Sequence, residues 1–144
     1  MAITKQELLN AGDTVSAEYQ ENFDLFRAKI NIFRDKCGIA MIPTSFFRSK
    51  ERQLRIYKEK AQKKEFPFEN GIFNEKKVPM GSCHMKALAC DFGGSTVKKL
   101  KEWVFNNLNW CKENGFYFED FEYTPNWLHI QVVPPASGKT IFKP

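Results

Sequence analysis

Only two histidines occur among the 144 residues, and none of the four cysteines is paired in C-x-x-C spacing. That spacing is the usual frame of a structural zinc module, so its absence weakens such a site. No apolar run reaches the ~18–20 residues that span a bilayer, so no membrane partner is expected. Residues 1–7 hold no basic region followed by an apolar stretch, so no secretory signal is expected and the chain should be made in the cytoplasm. Cys37, Cys83, Cys90 and Cys111 then read as free thiols, with Cys37 and Cys111 as small buried apolar groups. Repeats, low-complexity tracts and Gly/Ser linkers are also missing, and one monomeric domain over 1–144 is expected.

What is present is core material: 42% apolar residues and 15% aromatic, including fourteen Phe, which argues against disorder despite 27% charged residues. The net charge is +5, with an excess of Lys over 50–77. A basic balance suits nucleic acid, anionic membrane or anionic cell-wall polymer without choosing among them, and alone it describes a solvated face. A nucleic-acid binder built on that Lys excess with Phe66, Phe68 and Phe73 leaves both histidines unused and has no accompanying motif, so no nucleic-acid partner is expected.

Tyr19, Phe23, Phe26, Ile30 and Phe33 recur at alternating four and three spacing, which predicts a helix over 15–37 stopped by Gly38. Residues 39–46 are short, apolar and β-prone, and predict a strand. Residues 50–64 are rich in helix formers with a thin apolar set (Leu54, Tyr57, Ala61), as in a helix lying on the surface. Residues 65–79 predict a long exposed loop that could act as a lid. Another helix is expected from Ser95 or Thr96, carrying Val97, Leu100, Val104 and Leu108 and stopped by Gly115. Residues 116–123 and 127–133 predict a hairpin joined through Thr-Pro-Asn, and the tail 134–144 is expected to pack loosely. The fold class is α+β: a small, mostly antiparallel sheet packed with about three helices, its motif-bearing core at 39–133.

Both histidines fall in segments with the character of a metal site. His84 lies in Gly-Ser-Cys-His-Met-Lys-Ala-Leu-Ala-Cys-Asp, seven residues before Asp91, and His129 lies in mid-strand in Trp-Leu-His-Ile-Gln. A buried imidazole needs partners for both nitrogens, and a carboxylate flanked by Ala89, Cys90 and Phe92 is costly unless paired. One cation bound by His84, Asp91 and His129 resolves all three costs. Two nitrogens and one oxygen suit catalytic Zn²⁺ with a fourth position open, and non-haem iron uses the same set. A structural site of Cys83, His84, Cys90 and His129 is the weaker rival. Ser137-Gly138-Lys139-Thr140 ends like a phosphate-binding loop but lacks the upstream glycine and a following helix.

Ser-x-His-x-x-x-x-Ala-x-Asp followed by Trp-x-His resembles the zinc D-Ala-D-Ala carboxypeptidases and dipeptidases and the related phage endolysins that cleave L-alanyl-D-glutamate bonds. Upstream, Thr-Ser-Phe-Phe-Arg-Ser-Lys-Glu-Arg-Gln is similar to the family's Ser-Gly-Tyr-Arg-Ser…Gln segment, and the likeness runs in order over roughly 39–133. The resemblance implies one Zn²⁺ on His84, Asp91 and His129, and a peptidoglycan peptide as substrate. It implies that Arg48 holds the substrate carbonyl or its oxyanion, that Ser82 supports His84 or touches substrate, and that Gln53 orders the surface helix. With no secretory signal, it favours a phage-type lysin acting on the wall after lysis or from a virion. Two positions depart from the pattern. Ala87 replaces a glycine, and Asn126 replaces the acid three residues before the last histidine that serves as general base. An amide cannot take up that proton near neutral pH. Either Glu119, Asp120 or Glu122 supplies the base, or another proton path operates, or the protein is a catalytically impaired, zinc-stabilised wall binder or virion component.

Overall fold

The computed structural model describes residues 2–62 and 81–144; the loop expected over 65–79 lies outside them. The first helix, α1 (Lys5–Asn10), stands where the apolar period predicts nothing. It is marked instead by a capping box, in which the Thr4 side chain accepts from the Glu7 backbone and the Glu7 carboxylate from the Thr4 backbone. A 3₁₀ turn at Ala17–Tyr19 then leads into α2 (Gln20–Cys37), which ends at Gly38 with φ +67°, a conformation that favours glycine. Phe23, Phe26, Ile30 and Phe33 are all buried, as their spacing predicts. Fully burying a side chain of this size is worth about 1.5–3 kcal/mol. Phe33 is packed among Trp103, Trp110, Phe116 and Phe118, so this one face joins the helix to both later parts of the chain.

Strand β1 (Ile42–Ser45) is followed by the surface helix α3 (Lys50–Gln62), where the Ser49 hydroxyl accepts the Arg52 N–H. After a 3₁₀ turn at Cys83–Lys86 come β2 (Ala89–Gly93), α4 (Val97–Asn106) and α5 (Leu108–Glu113). The single helix expected here is divided at Asn107, whose φ of −132° leaves the helical range. Thr96 precedes α4 without capping it, because its hydroxyl donates to the Ala40 carbonyl at 2.7 Å. The count among the described residues is five α-helices, where about three were expected.

Strands β3 (Tyr117–Glu119) and β4 (Leu128–Gln131) form the expected antiparallel pair. The tail does not pack loosely throughout: β5 (Ile141–Phe142) pairs parallel to β3, and Phe142 is buried. Pro/Gly/Ser content hid this two-residue strand, which is held by Phe118 N–H to Thr140 O and Asp120 N–H to Phe142 O. Among the described residues the result is an α+β domain with one five-stranded sheet in the order β1-β2-β4-β3-β5, antiparallel except at the β3–β5 edge. No helix among the described residues is long and apolar enough to cross a membrane. β2 and β4 are central and almost wholly buried, and their register sets Asp91 directly opposite His129.

Candidate metal centre

Three elements bring the ligand atoms together. In the 3₁₀ turn, the Ser82 hydroxyl accepts the His84 N–H at 3.3 Å and so caps the turn that carries the histidine. The turn closes at Ala87, the one non-glycine residue with positive φ (+58°) among those described, whose N–H reaches back to the Cys83 and His84 carbonyls. That bend feeds the chain straight into β2, where alternation turns Asp91 to one face of the sheet and buried Cys90 to the other. His129 enters from β4. His129 Nδ1 lies 2.9 Å and His84 Nε2 3.3 Å from Asp91 Oδ1, and one ligand atom from each residue falls within 4.8 Å of the others. No cysteine belongs to this group, and all four thiols are free, so the rival Cys83–Cys90 zinc set does not assemble. Cys37 is only half-buried, while Cys111 is buried, with its thiol pushed up to about 12 chiefly by burial.

The outer nitrogens decide what the inner ones can do. His84 Nδ1 lies 2.7 Å from the Phe46 carbonyl, which can only accept, so that nitrogen carries the proton. His129 Nε2 lies 2.8 Å from Gln131 Oε1, while the Gln131 amide nitrogen donates to the Val133 carbonyl at 2.9 Å. A carbonyl acceptor at Val133 dictates which end of the Gln131 amide faces the ring, so His129 Nε2 is the donor. Two imidazole lone pairs therefore converge on a carboxylate oxygen, with both rings about 4% exposed. Three acceptors facing one another at this depth need a cation among them. A metal ion fits that requirement, and the residues present fit a metal ion.

Without a metal, protons must supply the charge, and the titration of the groups follows. Burial raises the Asp91 pKa, but hydrogen bonds and charge from His129 and His84 outweigh it and hold the carboxyl well below the usual range. For His129, burial favours the neutral ring, whereas the bond to Asp91 and the charge of Glu119 push its pKa up.

The cluster opens into a cleft of about 450 Å³ whose walls include Arg48, Gln53, Ser82, Glu119 and Trp127. The Arg48 N–H donates to the His84 carbonyl at 3.1 Å, and its Nη1 donates to Gln53 Oε1 at 2.9 Å. Gln53 is thus a buried partner of Arg48 as well as a part of α3. Glu119, at the end of β3, places Oε1 3.8 Å from His129 Nδ1, close to the ligand group but not one of its members.

Asn126 lies elsewhere. It is exposed and lines a separate cleft beside the start of α4, with Lys98, Lys101 and Pro125. Asp120 lines a third depression with Lys139, and its carboxylate accepts the Glu122 N–H. Of the three acids weighed as alternative bases, Glu119 alone lines the metal cleft among the described residues. Gln131 and the Phe46 carbonyl were not foreseen. The first had a signal, since residues i and i+2 of a strand share a face; the second had none, because a backbone carbonyl has no letter in the sequence.

No protein-family model matches the chain, and no curated protein sequence matches it either. Solved structures similar to it include VanYB in complex with D-alanine-D-alanine, at 18% identity over 96% of this chain and 88% of that one, with a TM-score of 0.49. Another is a glutamate-to-alanine mutant of the vancomycin resistance D,D-pentapeptidase VanY, from a VanB-type resistance cassette, in complex with Zn(II). It shares 22% identity over 96% of this chain and 80% of that one, with a TM-score of 0.46.

Proposed function

We propose that this protein is a zinc peptidase that hydrolyses a bond in the peptide part of bacterial peptidoglycan, in the manner of a phage-type lysin. The observation that carries the proposal is the convergence of His84 Nε2, Asp91 Oδ1 and His129 Nδ1 on one point of an open cleft, with both outer nitrogens already committed. Two nitrogens and one carboxylate oxygen form the donor set of catalytic zinc sites. The wall-peptide substrate and the phage-type setting rest on the resemblance of the ordered motifs around Arg48, His84, Asp91 and His129.

When bound, zinc supplies Lewis acidity at the scissile carbonyl and makes water a stronger acid. The rest falls to the chain. Arg48, steadied at one nitrogen by Gln53, presents guanidinium N–H groups where negative charge grows on the carbonyl oxygen. Glu119 takes the proton released by the attacking water and returns it to the leaving amine, the work that Asn126 cannot do. Ser82 acts mainly by holding the turn that carries His84.

A second reading, a zinc-stabilised wall-peptide binder or virion component that does not cut, is favoured by Asn126 alone. Incubation with purified peptidoglycan, with and without a chelator and read by mass spectrometry, separates the two. Chelator-sensitive fragments are expected, and their masses name the bond. A folded, zinc-loaded protein that releases nothing leaves the binder. Glu119→Gln is expected to keep its zinc and lose about 10²–10⁴-fold in rate, the usual worth of general acid–base help. Asn126→Asp is expected to change the rate less than about twofold; full activity in Glu119→Gln with a large gain in Asn126→Asp would reverse the assignment.

A further inference from the structure

The connector between α1 and the first 3₁₀ turn runs beside residues 46–49, the stretch that joins β1 to α3. That stretch carries two groups used by the site, the Phe46 carbonyl that orients His84 and the Arg48 side chain. Three hydrogen bonds alternate along the two segments: Phe46 N–H to Ala11 O at 2.9 Å, Asp13 N–H to Phe47 O at 3.0 Å, and Ser49 N–H to Asp13 Oδ2 at 3.0 Å. From the other side, the Arg48 N–H is held by the His84 carbonyl. Residues 46–49 are thus gripped between the connector and the turn of His84.

Gly12 is what allows the approach. A Cβ there would lie 2.5 Å from the Phe47 oxygen and 2.8 Å from the Phe47 nitrogen, both fixed backbone atoms. The second oxygen of Asp13 receives Arg52 Nη1 at 3.2 Å. One carboxylate therefore ties Ser49 to Arg52 across the start of α3, and the residue after Arg52, Gln53, holds the Arg48 guanidinium. Taken singly, the Asp13–Arg52 ion pair is half-exposed and worth little. As the third rung of a ladder that also uses its own N–H, the same carboxylate fixes a backbone.

We propose that Asp13 is a positioning residue of the peptidase site, acting through Arg48: it holds residues 46–49 in register and so aims the guanidinium into the cleft. The role of Arg48 rests on the function proposed above; the clamp itself does not. Amide hydrogen exchange in the metal-free protein tests the clamp. Asp13→Ala is expected to speed exchange at Ser49 and Arg48 by about tenfold or more, as local opening allows. Asp13→Asn keeps an acceptor for the Ser49 N–H and is expected to stay within about threefold of the parent. Unchanged exchange in Asp13→Ala, or equal damage from both variants, overturns the clamp.

Peptide release tests the action through Arg48. Asp13→Ala is expected to lower kcat/KM about 10–100-fold, as small misplacements of a positioned group do. In an Arg48→Ala background the same change is expected to cost less than about twofold, the non-additivity of two residues acting as one. Zinc content is expected to stay the same throughout. Additive losses in the two backgrounds overturn the proposal. If Asp13→Ala does not fold, Asp13→Glu, whose longer side chain shifts the carboxylate out of register with Ser49, reports the same two quantities. A parent that releases no peptide removes the hydrolase reading, and the exchange results then decide the clamp alone.

Discussion

His84 and His129 offer a lone pair to the same oxygen from regions built in opposite ways. His129 sits in a central strand, where register does the placing: Asp91 is its cross-strand partner, and its outer nitrogen is held by a side chain two residues on. His84 sits in a 3₁₀ turn, where no ladder exists, and its outer nitrogen is held by a backbone carbonyl 38 residues earlier in the chain. A strand can delegate the fine adjustment of a ligand to a side chain because the backbone is already fixed. A turn needs the backbone of another segment to fix it. The two histidines should therefore respond differently to substitution of the residues that hold them.

The largest effect should come where the difference vanishes. Asp91 Oδ1 is common to both histidines, so Asp91→Ala removes a ligand and leaves two rings without their shared partner. Zinc affinity, read by competition with a chelating dye, is expected to fall roughly 10³-fold or more, beyond the ~10–100-fold typical of outer partners. Peptide release should fall below detection. Retained tight binding would mean that Glu119 replaces Asp91 as ligand, and the separation between the metal group and the base proposed above would be lost.

The contrast itself is tested by paired variants. Gln131→Ala strips the acceptor from His129 Nε2 and is expected to weaken zinc binding about 10–100-fold. Phe46→Leu alters the residue that holds His84 but keeps the carbonyl that does the holding. Its ring is fully buried against Phe23 and Phe26, with centroids 5.2 and 5.3 Å away. The expected cost there is in stability, about 1–2 kcal/mol as for other reductions of core volume, seen as a lower midpoint in urea. Zinc affinity should stay within about threefold of the parent. If Phe46→Leu weakens zinc as much as Gln131→Ala, the backbone around His84 is not independently fixed and the contrast fails.

The same contrast explains what could be read from sequence. Local periodicity marked α2 and its stop at Gly38 because both are decided within a few residues. That His84, Asp91 and His129 come together was legible because burial of two imidazoles and a carboxylate has so few solutions. Cross-strand register was not legible, and neither was the carbonyl of Phe46. Asn126 drew attention as the place of the missing acid because sequence order was the only guide. The register of β3 on β4 carries Glu119 to the cleft of the histidines, while Asn126 lines another. The division of α4 from α5 at Asn107 and the docking of Ile141–Phe142 on β3 depend on contacts between segments far apart in the chain. Thr4-x-x-Glu7 was legible in principle, as a capping box with too short a helix behind it to show an apolar period.

The smallest expected effect concerns the turn of His84. Ala87 holds φ at +58°, where an L-residue is strained by about 1–2 kcal/mol, and its methyl is fully buried. Ala87→Gly relieves the strain. Against that gain, glycine adds about 0.4–1 kcal/mol of unfolded-state entropy to be lost on folding. The missing methyl forfeits roughly another 0.8 kcal/mol of burial. The terms nearly cancel, so stability is expected to change by less than about 1 kcal/mol, read from denaturant midpoints. The two N–H bonds from residue 87 to the Cys83 and His84 carbonyls survive the change, and zinc affinity should hold within about threefold. A tenfold loss of zinc affinity in a variant of unchanged stability would show that packing of the methyl, and not the hydrogen-bonded bend, keeps His84 in place.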